Sequence, residues 1–275
     1  MELSREWAVA RELAREAGRL LLEVYATDFA VVEKDGGAGP VTEADRRANA
    51  FLVEALRREF PGDGIVAEES ADHGDSRSRR RCWFVDPLDG TAEFVARNGE
   101  FAVHVGLAVD GEARLGVVYR PVGDKLYAGI VGDGCTLEEK GDTRELRVNQ
   151  VTDPAAMRLV VSRSHRSRKT DAIRQALGIT RVIECGSVGL KCGLLAEGAA
   201  DLYLHPGPKS QRWDSCAPEA VLRAAGGVLT DLAGDPYRYD GTELANVRGL
   251  LGCSALAFPT IRAATEPIAA AGVHP

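Results

Sequence analysis

The sequence contains no apolar stretch long enough to span a bilayer and no pair of cysteines in a C-x-x-C pattern. The first absence argues against a transmembrane helix. The second argues against a structural zinc site, because six cysteines scattered singly are typical of reduced thiols that pack as small hydrophobic side chains. The initial segment, MELSREWAVARELAREAGRL, is charged throughout and does not resemble a signal peptide. We therefore expect a cytoplasmic protein that is not bound to a membrane.

Two motifs that carry covalent nucleophiles are missing as well. There is no C-x₅-R phosphatase loop and no G-x-S-x-G elbow, which argues against a cysteine or serine nucleophile. The formal net charge of -7 gives no electrostatic footprint for duplex nucleic acid. We interpret the one basic run, RSRRR, as a solvated loop between two polar segments.

The N-terminal half of the chain mixes helical and strand patterns. Apolar residues recur at steps of three and four from Leu3 to Val24, which predicts a long amphipathic helix. A second helix with Phe51 on its apolar face is expected to end at Pro61-Gly62. Between 101 and 131, β-rich runs separated by Asp-Gly and Pro-Val-Gly turns predict an antiparallel meander. Residues 1–152 are thus predicted to form an α+β half that carries the main metal-binding motifs.

The remainder of the chain alternates between strand and helix patterns after the polar segment LEEKGDTRELRVNQVTDP. Predicted strands RLVVSRS, RVIEC, ADLYLH and GVLTD are separated by predicted helices KTDAIRQAL, VGLKCGLLAEG and SCAPEAVLRAAG. Such alternation is typical of an α/β unit, so residues 153–275 are predicted to form a second half. The fold class that follows is α/β.

Carboxylates stand at the ends of predicted elements in four short motifs. These are VTEAD with Asp45, AEES with Glu68 and Glu69, DPLDGT with Asp86 and Asp89, and WDSC with Asp214. Each motif has a structural alternative when it is taken singly. Thr42 to Asp45 fits a capping box, Asp214 fits a helix cap, and the two glutamates fit surface charge.

The same motifs indicate a metal site when they are taken together. Apolar residues surround Asp86, Asp89 and Asp214, and a partly buried carboxylate must be paired or bound to a metal. Oxygen ligands without histidine or thiolate favour Mg²⁺ or Mn²⁺. A helix that opens at Gly90 and Thr91 would offer backbone N–H groups to a phosphate. Metal ions beside a phosphate site predict phosphoester hydrolysis.

The ordered set VTEAD, AEES, WFVDPLDGT and WDSCAPEAVLRAAGG resembles the inositol monophosphatase superfamily of Mg²⁺-dependent, typically lithium-sensitive phosphatases, over nearly the whole chain. The segments SRSH, GSVGLK and ADLYLHPGP resemble its 3'(2'),5'-bisphosphate nucleotidase branch. The resemblance implies a layered αβαβα sugar-phosphatase-like fold and hydrolysis of the 3'-phosphate of adenosine 3',5'-bisphosphate to AMP, with PAPS as a further candidate substrate. The alternatives are an inositol or sugar monophosphatase and, from another class, a non-catalytic nucleotide or metal sensor.

The resemblance also implies roles for individual residues. Glu68, Asp86 and Asp89, together with the Leu88 carbonyl, would hold two or more Mg²⁺ ions, with Mn²⁺ as an alternative, and Asp214 would complete the site. Asp45, Thr91 and Glu68 would be the catalytic residues, with the Thr91 hydroxyl bonded to the attacking water. The implied substrate contacts are Asp89, Gly90, Thr91, Ala92, Ser164, His165, Ser187, Lys191 and Asp214. A monomer and a homodimer are both compatible with this assignment.

A nucleotide with a second phosphate needs cationic partners beyond the metal ions. Arg163, His165 and Lys191 are the candidates from the motifs that resemble the nucleotidase branch. Their structural alternatives are a loop residue for His165 and a solvated helix residue for Lys191. Arg212 stands where many relatives in that branch carry an acidic residue, so contacts with the sugar are expected to differ.

Overall fold

A computed structural model describes residues 2–33, 40–70, 74–164 and 167–270 of the chain. The helices are α1 (Ser4–Tyr25), α2 (Glu43–Glu59), α3 (Thr91–Val95), α4 (Arg168–Ala176), α5 (Val188–Ala196), α6 (Arg212–Ala224) and α7 (Phe258–Ala270). The first nine strands are β1 (Val31–Glu33), β2 (Pro40–Thr42), β3 (Gly64–Ala67), β4 (Arg81–Asp89), β5 (Ala102–Val109), β6 (Glu112–Arg120), β7 (Lys125–Ile130), β8 (Gly134–Glu139) and β9 (Asp142–Glu145). The others are β10 (Arg158–Ser162), β11 (Arg181–Cys185), β12 (Leu202–His205), β13 (Gly227–Thr230) and β14 (Leu250–Ser254). Among the described residues, none of these helices is both long and apolar enough to cross a membrane.

Two large sheets and three helical layers are stacked on one another. Strands β3 to β9 form a seven-stranded sheet in sequence order, and the other sheet has the order β11-β10-β12-β14-β13. Helices α1 and α2 pack on one face of the larger sheet, while α5 and α6 lie between the two sheets. Helices α4 and α7 pack on the outer face of the smaller sheet. This arrangement confirms the predicted layered αβαβα fold. The division of the chain at residues 152 and 153 stays a prediction.

Helix α6 lies unusually close to the larger sheet, and two glycines permit this approach. Gly106 of β5 and Gly116 of β6 are directly opposite each other. A Cβ atom at Gly106 would lie 2.6 Å from the backbone nitrogen of Ala217, and one at Gly116 would lie 2.1 Å from its carbonyl oxygen. Only glycine therefore fits at these two positions. The close packing fixes the helix whose first turn carries Asp214.

The structure contains elements that the sequence patterns did not predict. Strands β8 and β9 form a hairpin across the start of the segment interpreted only as polar, and they turn at Lys140 and Gly141 with positive φ angles of 52° and 92°. All four residues of β9 are exposed, so the strand lacks the apolar alternation that would have revealed it. Strand β14 and helix α7 were also missed. Helix α6 begins at Arg212, three residues before the predicted helix.

A buried glutamate in the middle of α6, Glu219, has a raised pKa. Glu219 is 2% exposed, and its carboxylate accepts hydrogen bonds from the Tyr239 hydroxyl at 2.7 Å and from Arg223 Nη1 at 3.0 Å. Burial raises the pKa of Glu219 from 4.5 to about 7, even though both hydrogen bonds favour the charged form. Folding therefore favours the protonated carboxyl group.

We expect Glu219→Gln to flatten the dependence of stability on pH. The folded-state pKa lies above the unfolded value, so the stabilising contribution is complete below pH 4.5 and is lost as the pH rises through about 7. The amide keeps the acceptor for Tyr239 but cannot ionise. Urea unfolding at pH 5 and pH 8 should show that the wild-type protein loses up to about 3 kcal/mol more than the variant. Equal losses in the two proteins would contradict the prediction.

Candidate active site

The end of strand β4 turns both aspartates of DPLDGT toward one cavity. Asp86 is opposite His104 of β5, whereas Asp89 is opposite Ala102, so three steps along β4 face only two along β5. Residues three apart in a regular strand point to opposite faces, and this bulge removes the alternation. The Leu88 N–H donates to Asp86 Oδ1 at 2.9 Å, which closes the irregular turn.

A third aspartate joins this pair from helix α6. Carboxylate oxygens of Asp86, Asp89 and Asp214 all lie within 4.8 Å of one another. Glu68, which directly follows β3, lines the same cavity of about 530 Å³. The predicted metal ligands from the larger sheet and from helix α6 are therefore close in space. The full lining is Glu68, Asp86, Leu88, Asp89, Gly90, Thr91, Ala92, Glu93, Ser162, Ser187, Val188, Lys191, Tyr203, His205, Lys209, Ser210, Gln211, Trp213 and Asp214.

Two of the clustered carboxyl groups resist ionisation. Burial raises the pKa of Asp86 well above its usual range, and the charges of Glu68, Asp89 and Asp214 raise it further. Burial is also the main cause of the raised pKa of Asp214, followed by the charges of Asp89 and Glu68. The protein alone therefore does not supply enough positive charge for this cluster. A divalent cation would relieve the repulsion among the carboxylates.

The remaining carboxylate of the cluster, that of Asp89, is stabilised in its charged form. Its Oδ2 accepts hydrogen bonds at the start of α5, from Ser187 Oγ at 2.6 Å and from the backbone N–H of Gly189 at 3.3 Å, and it lies 3.2 Å from His104 Nε2. Burial alone would raise the pKa of Asp89, but His104, Lys191 and Ser187 outweigh it and lower the pKa. Asp89 thus connects the metal-binding motif of β4 to the helix of the GSVGLK motif.

The cluster fits a hard divalent cation. Its donors are carboxylate oxygens, and the three carboxylates are close enough to bind one ion together. Mg²⁺ prefers oxygen donors of this kind, whereas no cysteine or histidine belongs to the group found among the described residues. The raised pKa values of Asp86 and Asp214 agree with this assignment, because a bound cation would favour their charged forms.

Asp45 combines a structural contact with a contact to the site. Its Oδ2 accepts the backbone N–H and the hydroxyl of Thr42, each at 2.7 Å, so the predicted capping box at the start of α2 is present. Its Oδ1 lies 3.2 Å from Thr91 Oγ1, which is also 3.2 Å from the Leu88 carbonyl oxygen. Burial raises the pKa of Asp45, although the bonds from Thr42 oppose this shift. The Thr91 hydroxyl therefore lies between a basic carboxylate and a carbonyl group.

Among the implied cationic contacts, Lys191 lines the cavity. Lys191 is only 2% exposed, so its interpretation as a solvated helix residue is wrong. Its ammonium group donates to the Cys185 carbonyl at 3.4 Å and lies 5.5 Å from the ring centre of Tyr203. One long hydrogen bond leaves most of the donor capacity of a buried ammonium group available to a ligand.

Other implied contacts lie elsewhere. Ser164 is exposed and donates to Glu93 rather than lining the cavity. Arg163 Nε donates to a Glu100 carboxylate oxygen at 2.8 Å, and Arg163 Nη1 to a Glu184 carboxylate oxygen at 3.4 Å. His165 lies outside the described residues. In contrast, Gly90, Thr91, Ala92 and Ser187 line the cavity.

Sequence reasoning missed several residues of the cavity wall. No motif distinguishes Glu93 or Lys209 of the wall from core or loop residues. The same holds for His104, which lies beside Asp89, while Tyr203 is part of ADLYLHPGP but was not named as a site residue. Tyr203 is fully buried, and its hydroxyl has no hydrogen-bond partner among the described residues. For Lys209, the position just after the ADLYLH strand was the available indication, because ligands in α/β proteins often bind where strands end.

Comparison with known proteins gives the class to which this fold and site belong. The sequence profile described as the inositol monophosphatase family matches residues 2–265. The chain therefore belongs to the inositol monophosphatase family.

The relatives of this chain include proteins named as bisphosphate nucleotidases and one named as an inositol monophosphatase. The 3'(2'),5'-bisphosphate nucleotidase CysQ of Escherichia coli is 38% identical over 235 residues, which cover 84% of this chain and 93% of that protein. Inositol monophosphatase 1 of Mus musculus is 31% identical over 236 residues, which cover 82% of this chain and 83% of that protein. The crystal structure of CysQ from Bacteroides thetaiotaomicron matches with a TM-score of 0.78 and 29% identity, covering 91% of this chain and 97% of that chain.

Proposed function

We propose that this protein is a Mg²⁺-dependent phosphatase that hydrolyses the 3'-phosphate of adenosine 3',5'-bisphosphate to give AMP and phosphate, and that also accepts PAPS. The observation that carries the proposal is the convergence of Asp86, Asp89 and Asp214 in one cavity that has a buried lysine, Lys191, in its wall. Two phosphates on one substrate match the metal cluster and a cationic side chain outside it. The CysQ nucleotidases among the relatives support the nucleotide as substrate.

Each acidic residue would have a defined part in binding the ions. Glu68, Asp86, Asp89 and the Leu88 carbonyl would hold two or more Mg²⁺ ions, and Asp214 would complete the coordination from the first turn of helix α6. Bound Mg²⁺ supplies a water with a lowered pKa and neutralises charge on the phosphoryl and leaving-group oxygens. Asp89, already held in its charged form, would keep its ligand oxygen directed by its bonds to α5.

The Thr91 hydroxyl and Asp45 would move the proton of the attacking water. A threonine hydroxyl that donates to Asp45 Oδ1 keeps its lone pairs for a hydrogen bond from water. Because burial raises the pKa of Asp45, this carboxylate is a stronger proton acceptor than an exposed aspartate. The proton would pass from water to the Thr91 oxygen as the Thr91 proton moves to Asp45. No covalent phosphoenzyme is required.

Lys191 would bind the second phosphate of the nucleotide, and Lys191→Met tests this role. Methionine retains the apolar stem that packs near Tyr203 but removes the charge. We expect KM for adenosine 3',5'-bisphosphate to rise roughly ten- to a hundredfold more than KM for 2'-AMP, because a charge-assisted hydrogen bond contributes about 1.5 to 3 kcal/mol. Steady-state kinetics on both substrates measure the difference.

Lys140→Ala in the β8–β9 turn is the matched control for loss of one lysine, and it should leave the ratio of the two KM values unchanged. Equal increases in KM for both substrates would place Lys191 beside the scissile phosphate instead. No change in either KM would leave Lys191 a packing residue.

One comparison decides between the proposed activity and its alternatives. Turnover of adenosine 3',5'-bisphosphate and of inositol 1-phosphate should be measured under identical Mg²⁺ concentrations, and we expect the nucleotide to be the better substrate. Equal or faster turnover of inositol 1-phosphate would establish a monophosphatase instead. Mg²⁺-dependent nucleotide binding without phosphate release from any candidate would indicate a sensor.

A further inference from the structure

Arg212 directly precedes Trp213 and Asp214 in α6, but its side chain is directed away from the cavity. It is 9% exposed and is not among the residues that line the cavity. Its Nε donates to the Arg238 carbonyl at 3.0 Å, its Nη1 donates to Asn246 Oδ1, and its guanidinium carbon lies 4.4 Å from the ring centre of Tyr237. These contacts hold the Arg212 side chain outside the cavity.

Asn246 uses both ends of its amide in the same region. It is fully buried, and its Oδ1 accepts from Arg212. Its Nδ2 donates to the Gln211 carbonyl at 2.7 Å and to Ser210 Oγ at 3.1 Å. The backbone N–H of Asn246 also donates to the Ser210 carbonyl at 2.8 Å. One buried side chain therefore joins three successive residues at the start of α6.

The backbone strengthens this connection. Gln211 and Ala245 form an antiparallel bridge, and the N–H of Arg212 donates to the Leu244 carbonyl at 2.8 Å. Residues 210–212 are thus held against residues 244–246. Residues 244–246 are not among those that line the cavity. A planar guanidinium can bond two acceptors in its plane while it stacks on a ring, and a lysine cannot reproduce this geometry.

The turn held in this way carries a metal ligand. The backbone N–H of Gln211 donates to Asp214 Oδ2 at 2.6 Å, so the position of the turn fixes one carboxylate oxygen of Asp214. Ser210, Gln211, Trp213 and Asp214 all line the cavity. Residues that orient a ligand through a hydrogen bond commonly change metal affinity by 10- to 100-fold when they are altered.

From these contacts we infer that Arg212 and Asn246 are positioning residues for Asp214, and that together they set the affinity of the acidic cluster for a divalent cation. The inference rests on the proposed metal site, but it concerns residues outside the cavity. It assigns to residues 244–246 the task of holding Asp214 of helix α6 at the correct distance from the three ligands that follow or belong to strands of the larger sheet.

Arg212→Lys and Asn246→Ala test the inference by metal binding without substrate. Titration with Mn²⁺, followed by calorimetry and by the electron paramagnetic resonance signal of the free ion, should give a dissociation constant roughly tenfold or more above the wild-type value for each variant. The double variant should lose less than the sum of the two single effects, because both act on one turn. In activity assays the half-saturating Mg²⁺ concentration should rise, and kcat should largely recover at saturating Mg²⁺.

Arg223→Lys is the matched control, because it makes the same chemical change near the other end of α6, where Arg223 contacts Glu219. It should leave Mn²⁺ affinity unchanged. Wild-type Mn²⁺ affinity in Arg212→Lys and Asn246→Ala would overturn the inference and leave the proposed function intact. A raised KM for substrate at saturating Mg²⁺ with normal metal affinity would also overturn the inference. Failure of both variants to fold would overturn it as well. A wild-type protein that binds no Mn²⁺ would instead refute the proposed metal site itself.

Discussion

Replacing Asp86 or Asp214 by asparagine should lower the rate of phosphate release by roughly 10³-fold or more. This is the scale expected when one group that stabilises developing charge is lost. The same substitutions should make the metal-free protein more stable. Both effects have one cause. Burial, and then the charges of neighbouring acids, raise the pKa of each carboxyl group, so its charged form is favoured only when a cation is bound. Phosphate-release assays and thermal melts in EDTA, followed by circular dichroism, measure the two effects.

The local hydrogen bonds allow these substitutions without loss of the fold. Asp86 Oδ1 accepts the Leu88 N–H and Asp214 Oδ2 accepts the Gln211 N–H, and an asparagine oxygen can accept either bond. The bulge of β4 and the start of α6 should therefore persist. A collapse of the fold in either variant would show that these aspartates are structural.

Asp201→Asn is a matched control with the opposite expectation. Asp201 is also a buried carboxylate, but it accepts hydrogen bonds from the Arg158 side chain at 2.8 Å and from Asn149 at 2.9 Å. Burial alone would raise the pKa of Asp201, and the bonds from Arg158 and Asn149 outweigh it and lower the pKa. This variant should lose about 1 to 3 kcal/mol of stability and keep its turnover.

The second large effect is expected for Thr91→Ala, with kcat falling roughly 10²-fold, as is usual when a positioned proton-transfer group is removed. The variant removes the hydroxyl that lies between Asp45 and the Leu88 carbonyl but leaves every acidic metal ligand in place. The half-saturating Mg²⁺ concentration should therefore change little. Steady-state kinetics over a range of Mg²⁺ concentrations separate the two quantities.

Thr91→Ser provides the control for this prediction, because serine keeps the hydroxyl and loses only a methyl group. It should retain most of kcat. If Thr91→Ala kept normal kcat, the hydroxyl would have only the structural role of bonding to Leu88. If both variants raised the Mg²⁺ requirement, Thr91 would instead support the metal site through the β4 bulge.

Much of the fold could be predicted because it depends on local patterns. The apolar stripe from Leu3 to Val24 predicted α1, and Ala10, Ala14 and Leu21 of that stripe are fully buried. The alternation after residue 153 predicted strands β10 to β13 and helices α4 to α6 in their order along the chain, but not β14 or α7. Strand β9 could not be predicted in this way, because its four residues are exposed and its backbone hydrogen bonds to β8 leave no apolar period in the sequence.

The candidate site shows the same division at the level of single residues. Its acidic residues could be named from the sequence because carboxylates beside apolar runs require a partner. Lys191 could not be distinguished from a solvated residue, since its burial depends on what packs against α5. This packing includes a close approach of α5 to His104, because a Cβ atom at Gly189 would lie 2.2 Å from His104 Nε2. Arg212 could not be assigned, because its partner Asn246 lies 34 positions away along the chain.

The sequence by itself determined the chemistry of this protein: an all-oxygen acidic set, a hydroxyl beside it, and no residue pattern for a covalent nucleophile. Only the tertiary structure decided which groups meet. A bulge in β4 brings Asp86 and Asp89 to one side, two glycines let α6 carry Asp214 to them, and residues 244–246 hold that helix at its start. The physical reason is that ligand chemistry belongs to single residues, whereas distances of a few ångströms depend on contacts between segments far apart in the chain.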